Sequence, residues 1–183
     1  DYPRRDGARD SLKCILDTEP TAQDRRDRRV LVIADEALGK YGFPDGHPFG
    51  TDRLAAFLRE FRARGLPARC LSGASRLAEE SDLLRFHTAR HVEFVRTQSA
   101  SGQGSLDGGD TPAYRGCFEA GGRVVGATLA AAEALLDGGA DRAFVPIAGL
   151  HHAARDAAAG FCIFNDIGVL IELLRDRGVG PVA

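Results

Sequence analysis

The chain has 183 residues, 44% of them hydrophobic and 27% charged, an ordinary globular composition sufficient for one domain with a real core. A net charge of −2 favours neither nucleic acid nor an anionic membrane as a partner. No apolar run approaches the roughly 20 residues needed to span a bilayer, and no signal peptide is visible. The four cysteines (Cys14, Cys70, Cys117, Cys162) are scattered without a CxxC pair, which argues against a disulfide framework or a zinc-finger cluster and for a reducing cytoplasm. Lys13 and Lys40 are the only lysines, which reads as coding bias, and the absence of Met suggests a processed or partial sequence.

Residues 1–29 are dense in charge and poor in apolar side chains and read as a flexible leader. Val30 to Ala34 is an apolar run that reads as a buried strand. Thr51 is the expected N-cap of a helix whose Leu54, Phe57, Leu58 and Phe61 fall on one face, and Gly65 and Pro67 end it. Ala68 to Leu71 is a weak short strand. One helix is expected over 81–98, with Leu84, His87, His91 and Val95 near a 3.6 spacing. Ser99 to Asp110 reads as a Gly/Ser loop. Thr111-Pro112 looks like a cap followed by N1, opening a helix that carries Phe118, Val125, Leu129, Ala132 and Leu136 inward until Gly138-Gly139 stops it. Ala143 to Ile147 reads as another buried strand, with Pro146 against a central position. Asp166 is the expected cap of a last helix using Ile167, Leu170, Ile171 and Leu174 and ending at Gly178. Val179 to Ala183 looks like the start of one more strand. Strands alternating with helices imply an α/β fold on a mostly parallel sheet.

His151 and His152 follow the Ala143–Ile147 strand, at the end of a parallel sheet where ligands collect. On a strand, adjacent imidazoles would point to opposite faces; on a loop both can face one cleft. Such a pair can supply a general base and an electrostatic partner near neutral pH. Taken alone, it is equally compatible with a structural loop.

The segments Gly149-Leu150-His151-His152-Ala153, Arg155-Asp156 and Gly160-Phe161-Cys162-Ile163-Phe164-Asn165-Asp166 together resemble the active-site segment of histone deacetylases, most of all the bacterial acetoin-utilization branch. Further segments match in the family's order: Gly46-His47-Pro48 with Arg53, then Phe86-His87-Thr88 with Val92 to Val95, then Gly109-Asp110-Thr111-Pro112 with Gly116. His91 stands where that family usually has Tyr. The resemblance covers about residues 30–183. It implies a three-layer arginase/deacetylase-like α/β fold with a mostly parallel central sheet, truncated before the metal-ligand strand, so that 30–183 is the N-terminal part of a catalytic domain.

By position, the resemblance makes His152 the general base and the acid for the leaving amine, with His151 as its electrostatic partner. Asp110 becomes the rim aspartate that accepts hydrogen bonds from the substrate backbone. Gly160 contributes the carbonyl that holds the acyl-lysine amide N–H, Phe161 one aromatic wall of the tunnel, and Arg53 an inner-channel cation near the departing acetate. Each has a plainer reading: Asp110 a turn residue, Phe161 core, Arg53 a solvated helix residue, His47 a turn residue before Pro48. His87 and His91 have the i, i+4 spacing of metal ligands, but the resemblance gives them no such role and structural histidines are expected. Cys162 has no neighbour that would make it a nucleophile.

Amide hydrolysis by this route needs a Lewis acid. The resemblance implies zinc for the full-length protein, held by two aspartates and a histidine that have no counterpart in residues 1–183, so the chain alone is expected to bind no metal and to be inactive. The expected partners are an acyl-lysine peptide or an acetylated small amine, with no membrane and no direct nucleic acid. The open sheet edge is expected to meet the remaining half of the domain or a second copy. A catalytically inactive, deacetylase-like binding module is the alternative; a binuclear manganese hydrolase like arginase fits less well, because Gly160-Phe161-Cys162 is not its signature.

Overall fold

The computed structural model describes residues 29–44 and 46–180. In chain order its elements are β1 (Val30–Ile33), a 3-10 turn (Glu36–Lys40), α1 (Arg53–Ala63), a second 3-10 turn (Leu66–Arg69), β2 (Leu71–Gly73), α2 (Glu80–Leu83), α3 (Ala89–Ser101), α4 (Cys117–Leu136), β3 (Arg142–Phe144) and α5 (Asp166–Asp176). The strands form one sheet in the order β2-β1-β3, parallel throughout, with Leu31 beside Leu71 and Ala143, and Val32 beside Ser72 and Phe144. The most apolar strand takes the centre because a central strand of a parallel sheet is covered on both faces; Leu31, Val32 and Ile33 are all buried.

Alternation along the strands separates the two faces. Val32 shares a cavity with Leu58 and Phe61 of α1, and the ring of Phe144 lies 5.6 Å from that of Phe57. On the other face α4 packs against β1 and β3, and Ala143 lines a groove with Ala131 and Ala132. The molecule is therefore three layers, α1, sheet and α4, the mostly parallel α/β class that the strand–helix alternation implies. Val124, Val125, Ala127 and Leu129 of α4 are fully buried. Their helix runs so close to the segment before α2 that a Cβ on Gly126 would stand 2.0 Å from the Arg76 carbonyl oxygen.

Several local expectations are corrected. The N-cap of α1 is Asp52, not Thr51, and its side chain makes no capping bond. Pro67 belongs to a 3-10 turn that uses up Leu66–Arg69, so β2 starts later, at Leu71. The helix expected over 81–98 is two, because Thr88 takes an extended cap conformation: its hydroxyl accepts the His91 N–H while its own N–H donates to the Arg155 carbonyl, 2.8 Å away. α3 then runs through Ser101, into the expected loop. Thr111-Pro112 opens no helix; α4 begins at Cys117 after a left-handed Gly116, and its last inward candidate, Leu136, is 40% exposed. β3 stops at Phe144, before Pro146, which has no N–H for a ladder. Asn165, not Asp166, caps α5, which ends at Asp176. The Val179 N–H turns back to the Leu174 carbonyl instead of starting a strand. The rest of that strand (181–183) and residues 1–28 of the charged leader lie outside the described residues; Arg29, next in line, donates to the Asp141 carboxylate and the Gly138 carbonyl. No helix among the described residues is long and apolar enough to cross a membrane.

Candidate active site

Beyond β3 the chain crosses the carboxyl end of the sheet and arrives at His151 and His152. Two consecutive residues at the start of α5 hold it there. Asp166 is completely buried, and its carboxylate accepts the Gly149 N–H at 3.1 Å, the Leu150 N–H at 2.6 Å and the Thr128 hydroxyl at 2.6 Å. A buried carboxylate needs such partners to offset its lost hydration. Asn165 accepts the Gly168 N–H as a helix cap, while its amide donates to the carbonyls of His151 (3.0 Å) and Ala153 (2.8 Å). The backbone is thus pinned on both sides of His152.

The imidazoles of His151 and His152 are exposed, with centroids 4.3 Å apart and planes inclined by 41°. His151 Nδ1 lies 3.0 Å from the Gly149 carbonyl oxygen. That oxygen can only accept, so this geometry assigns the proton to Nδ1 and leaves Nε2 with a free lone pair in the neutral ring. The His152 ring makes no side-chain hydrogen bond among the described residues and is open to solvent and substrate. Gly160 lies against it: a Cβ added there would be 3.0 Å from His152 Cγ, at a φ of +53° that disfavours any side chain.

Phe161 shares this left-handed conformation, with φ 67°, as the only non-glycine among the described residues to do so. Its carbonyl accepts the Tyr41 hydroxyl at 2.7 Å and its N–H donates to the Thr111 hydroxyl oxygen at 3.1 Å. The same Tyr41 oxygen accepts the Ile163 N–H at 3.0 Å. Burial raises the Tyr41 pKa well above its usual value and keeps it a donor. So held, the Phe161 ring meets His47 edge-on at 4.7 Å, with Phe49 at 5.8 Å and Phe43 at 6.2 Å, making an aromatic wall. Arg53 lies beyond it, its guanidinium 3.6 Å above the Phe49 ring. One nitrogen of that guanidinium, Nη1, is buried without a hydrogen-bond partner, and burial lowers the group's pKa from its usual value.

Asp110 is exposed on the 105–111 loop. Sequence reasoning missed what shapes that loop. The Asp107 carboxylate accepts the Ser105 hydroxyl, the Gly109 N–H, and both the N–H and hydroxyl of Thr111. Burial works against its charge, but these bonds prevail and hold it below the usual carboxylate range. An acidic residue followed by Gly108, Gly109 and a hydroxyl residue is the available signal for such a turn. His47 completes the rim: its Nδ1 accepts the Phe49 N–H, so Nε2–H donates to the Asp110 carbonyl at 3.1 Å. The structure therefore brings His151, His152, Gly160 and Phe161 together, links Asp110 to them through His47, and links Arg53 through Phe49.

His87 and His91 are buried, with ring centroids 5.0 Å apart. His87 is pulled down to about 4, by burial first and by His91 second; burial also lowers His91, whose Nε2 bonds the Ile163 carbonyl. Burial thus disfavours the charged form of both rings. Burial pushes the Cys162 thiol up, away from thiolate. Among the described residues no group of three or more His, Cys, Asp or Glu side chains could hold a metal ion. Beside the pair, the Asp166 carboxylate is already committed to two N–H groups and a hydroxyl, so these residues do not fit a zinc site.

Residues 47–183 match the family model for the histone deacetylase domain. The chain belongs to the histone deacetylase family. It is 31% identical over 167 residues to histone deacetylase 6 of Arabidopsis thaliana, covering 85% of this chain and 36% of that one. To the acetoin utilization protein AcuC of Bacillus subtilis it is 36% identical, covering 82% and 41%, and to a histone deacetylase-like amidohydrolase of Pseudomonas aeruginosa 40% identical, covering 65% and 32%. The crystal structure of the HDA15 HD domain superposes with a TM-score of 0.72 at 26% identity, covering 84% of this chain and 44% of that one. The fold is that of the arginase/deacetylase class. The chain spans between about a third and under half of the length of each of these relatives.

Proposed function

We propose that this chain forms the proton-transfer and substrate side of a zinc-dependent amide hydrolase that removes acetyl or acyl groups from acyl-lysine or acetylated small amines. The observation that carries the reading is the paired, outward-facing His151 and His152, pinned through Asp166 and Asn165 beside Gly160 and an aromatic wall.

In this reading His152 takes a proton from the attacking water and returns it to the leaving amine. His151, 4.3 Å away, responds electrostatically to the charge His152 acquires. The Gly160 carbonyl, met among the described residues only by the Cys162 thiol at 3.6 Å, accepts the acyl-amide N–H. Phe161 lies along the methylenes of the acylated side chain, Asp110 accepts hydrogen bonds at the rim, and Arg53 offers its unpartnered Nη1 to the released carboxylate. A Lewis acid would be needed to polarise the carbonyl, and the described residues offer no donor set for one.

The test is zinc content together with hydrolysis of a fluorogenic acetyl-lysine peptide and an acetylated polyamine by the full-length protein. Zinc-loaded protein that hydrolyses at least one of them supports the reading. Zinc-loaded protein inert toward both would sink it, and retained binding of the acylated peptide would then favour the binding-module alternative.

A further inference from the structure

The turn between α2 and α3 carries a histidine that the chemistry above does not use. His87 is 3% exposed. Its Nε2 lies 2.9 Å from the backbone nitrogen of Asn165 and its Nδ1 3.2 Å from the carbonyl oxygen of Arg155. A backbone N–H can only donate, so Nε2 accepts; the single proton of the neutral ring is then on Nδ1 and donates to Arg155. The imidazole thus bridges the two ends of the Arg155–Asn165 loop, which holds Gly160 and Phe161.

Neighbouring contacts stiffen this joint. The Thr88 N–H donates to the same Arg155 carbonyl at 2.8 Å, and Arg155 Nη1 donates back to the Phe86 carbonyl at 3.0 Å. A Cβ on Gly168 would stand 2.7 Å from the Phe86 ring, so α5 has no room to move toward the turn. From Asn165 the connection continues into the site, because its amide holds the carbonyls of His151 and Ala153. Displacing the Asn165 backbone displaces the chain on both sides of His152.

We propose that His87 is a positioning residue for the His151–His152 pair, acting as a neutral splice between the Arg155 carbonyl and the Asn165 amide. Its geometric part stands alone; its kinetic part rests on the hydrolase reading. The groups facing the ring agree with a neutral form. Phe86 and Phe164 flank it at 5.0 and 5.4 Å, and burial lowers the pKa of His91 on α3 as well. Arg155 pairs with Glu172 of α5, and Asp156 pairs with Arg90. No carboxylate among the described residues is left to stabilise an imidazolium there.

Two near-isosteric variants of the full-length protein separate positioning from general support. His87→Gln places an amide oxygen near the former Nε2 and keeps an acceptor for Asn165; His87→Asn keeps only a donor for Arg155. The expectation is that His87→Asn lowers kcat about tenfold with KM changed less than about twofold, while His87→Gln stays within about threefold of the parent. In nitrogen-15 spectra the backbone amides of His151–Ala153 should move in His87→Asn and return toward their parental positions in His87→Gln. Parental kcat in His87→Asn, or an equal fall in both variants, would overturn the role. If His87→Asn does not fold, the parent's own imidazole spectrum decides: a His87 ring protonated on Nε2 contradicts the splice. If the parent hydrolyses nothing, the hydrolase reading fails, and the tautomer and amide shifts still settle the position of His87.

Discussion

Phe161 holds a φ of 67°, a conformation that costs a residue with a Cβ roughly 1 kcal/mol or more. It persists because Tyr41 accepts and donates at once, tying the Phe161 carbonyl and the Ile163 N–H to one hydroxyl. Removing that hydroxyl in Tyr41→Phe strands a buried N–H and should cost about 1–3 kcal/mol of unfolding free energy, read by urea denaturation; an unchanged midpoint would show that the loop does not depend on Tyr41. Gly160 makes a different demand, because space is short as well as φ positive. Gly160→Ala should push the His152 ring aside and lower kcat by about tenfold or more, with zinc content unchanged. Parental kcat would mean that the ring tolerates the shift.

At the scale of elements, the N-terminus of α5 and the turn before α3 organise the site. The strand–helix alternation, the sheet class and the His-His loop were legible because each depends on local periodicity or on adjacent residues. The bonds that make the loop rigid were not. Asn165 and Asp166 are interchangeable as caps on a pattern basis, and only the Gly149 N–H and the buried Leu150 N–H decide that Asp166 turns inward and leaves the cap to Asn165. Likewise the Leu84–Val95 spacing fits a single helix, and it takes the distant Arg155 carbonyl to hold Thr88 extended and break it. His87 makes this part of the fold pH-sensitive. Its folded pKa, about 4, lies below the ordinary 6.5, so between those values the unfolded chain binds the extra proton and stability falls as pH falls. From pH 7 to pH 5 the loss attributable to His87 should be about 2 kcal/mol, measured as the difference in denaturation free energy between the parent and His87→Gln at the two pH values. Equal pH slopes in the two proteins would refute it.

For the whole molecule, one face is unlike the rest. Between α4, β3 and α5 lies an open groove of about 510 Å³ lined by Leu135, Leu136, Ile167, Leu170 and Leu174, with Leu135 and Leu136 each 40% exposed. Exposed apolar surface of this kind on an open sheet edge favours association. Residues 1–183 expressed alone should therefore bind an anilinonaphthalene dye and self-associate, and a lysine at Leu136 should reduce both; a dye-silent monomer would contradict this. In the proposed reading the substrate-side residues gather around one pair of imidazoles, and proton transfer rests on the second, His152. The most direct measurement compares the full-length parent with His152→Asn for acyl-lysine hydrolysis and zinc content in the same preparations. Loss of turnover by about a thousandfold or more with zinc retained is the predicted result, and equal turnover in the two proteins would contradict the assignment of proton transfer to His152.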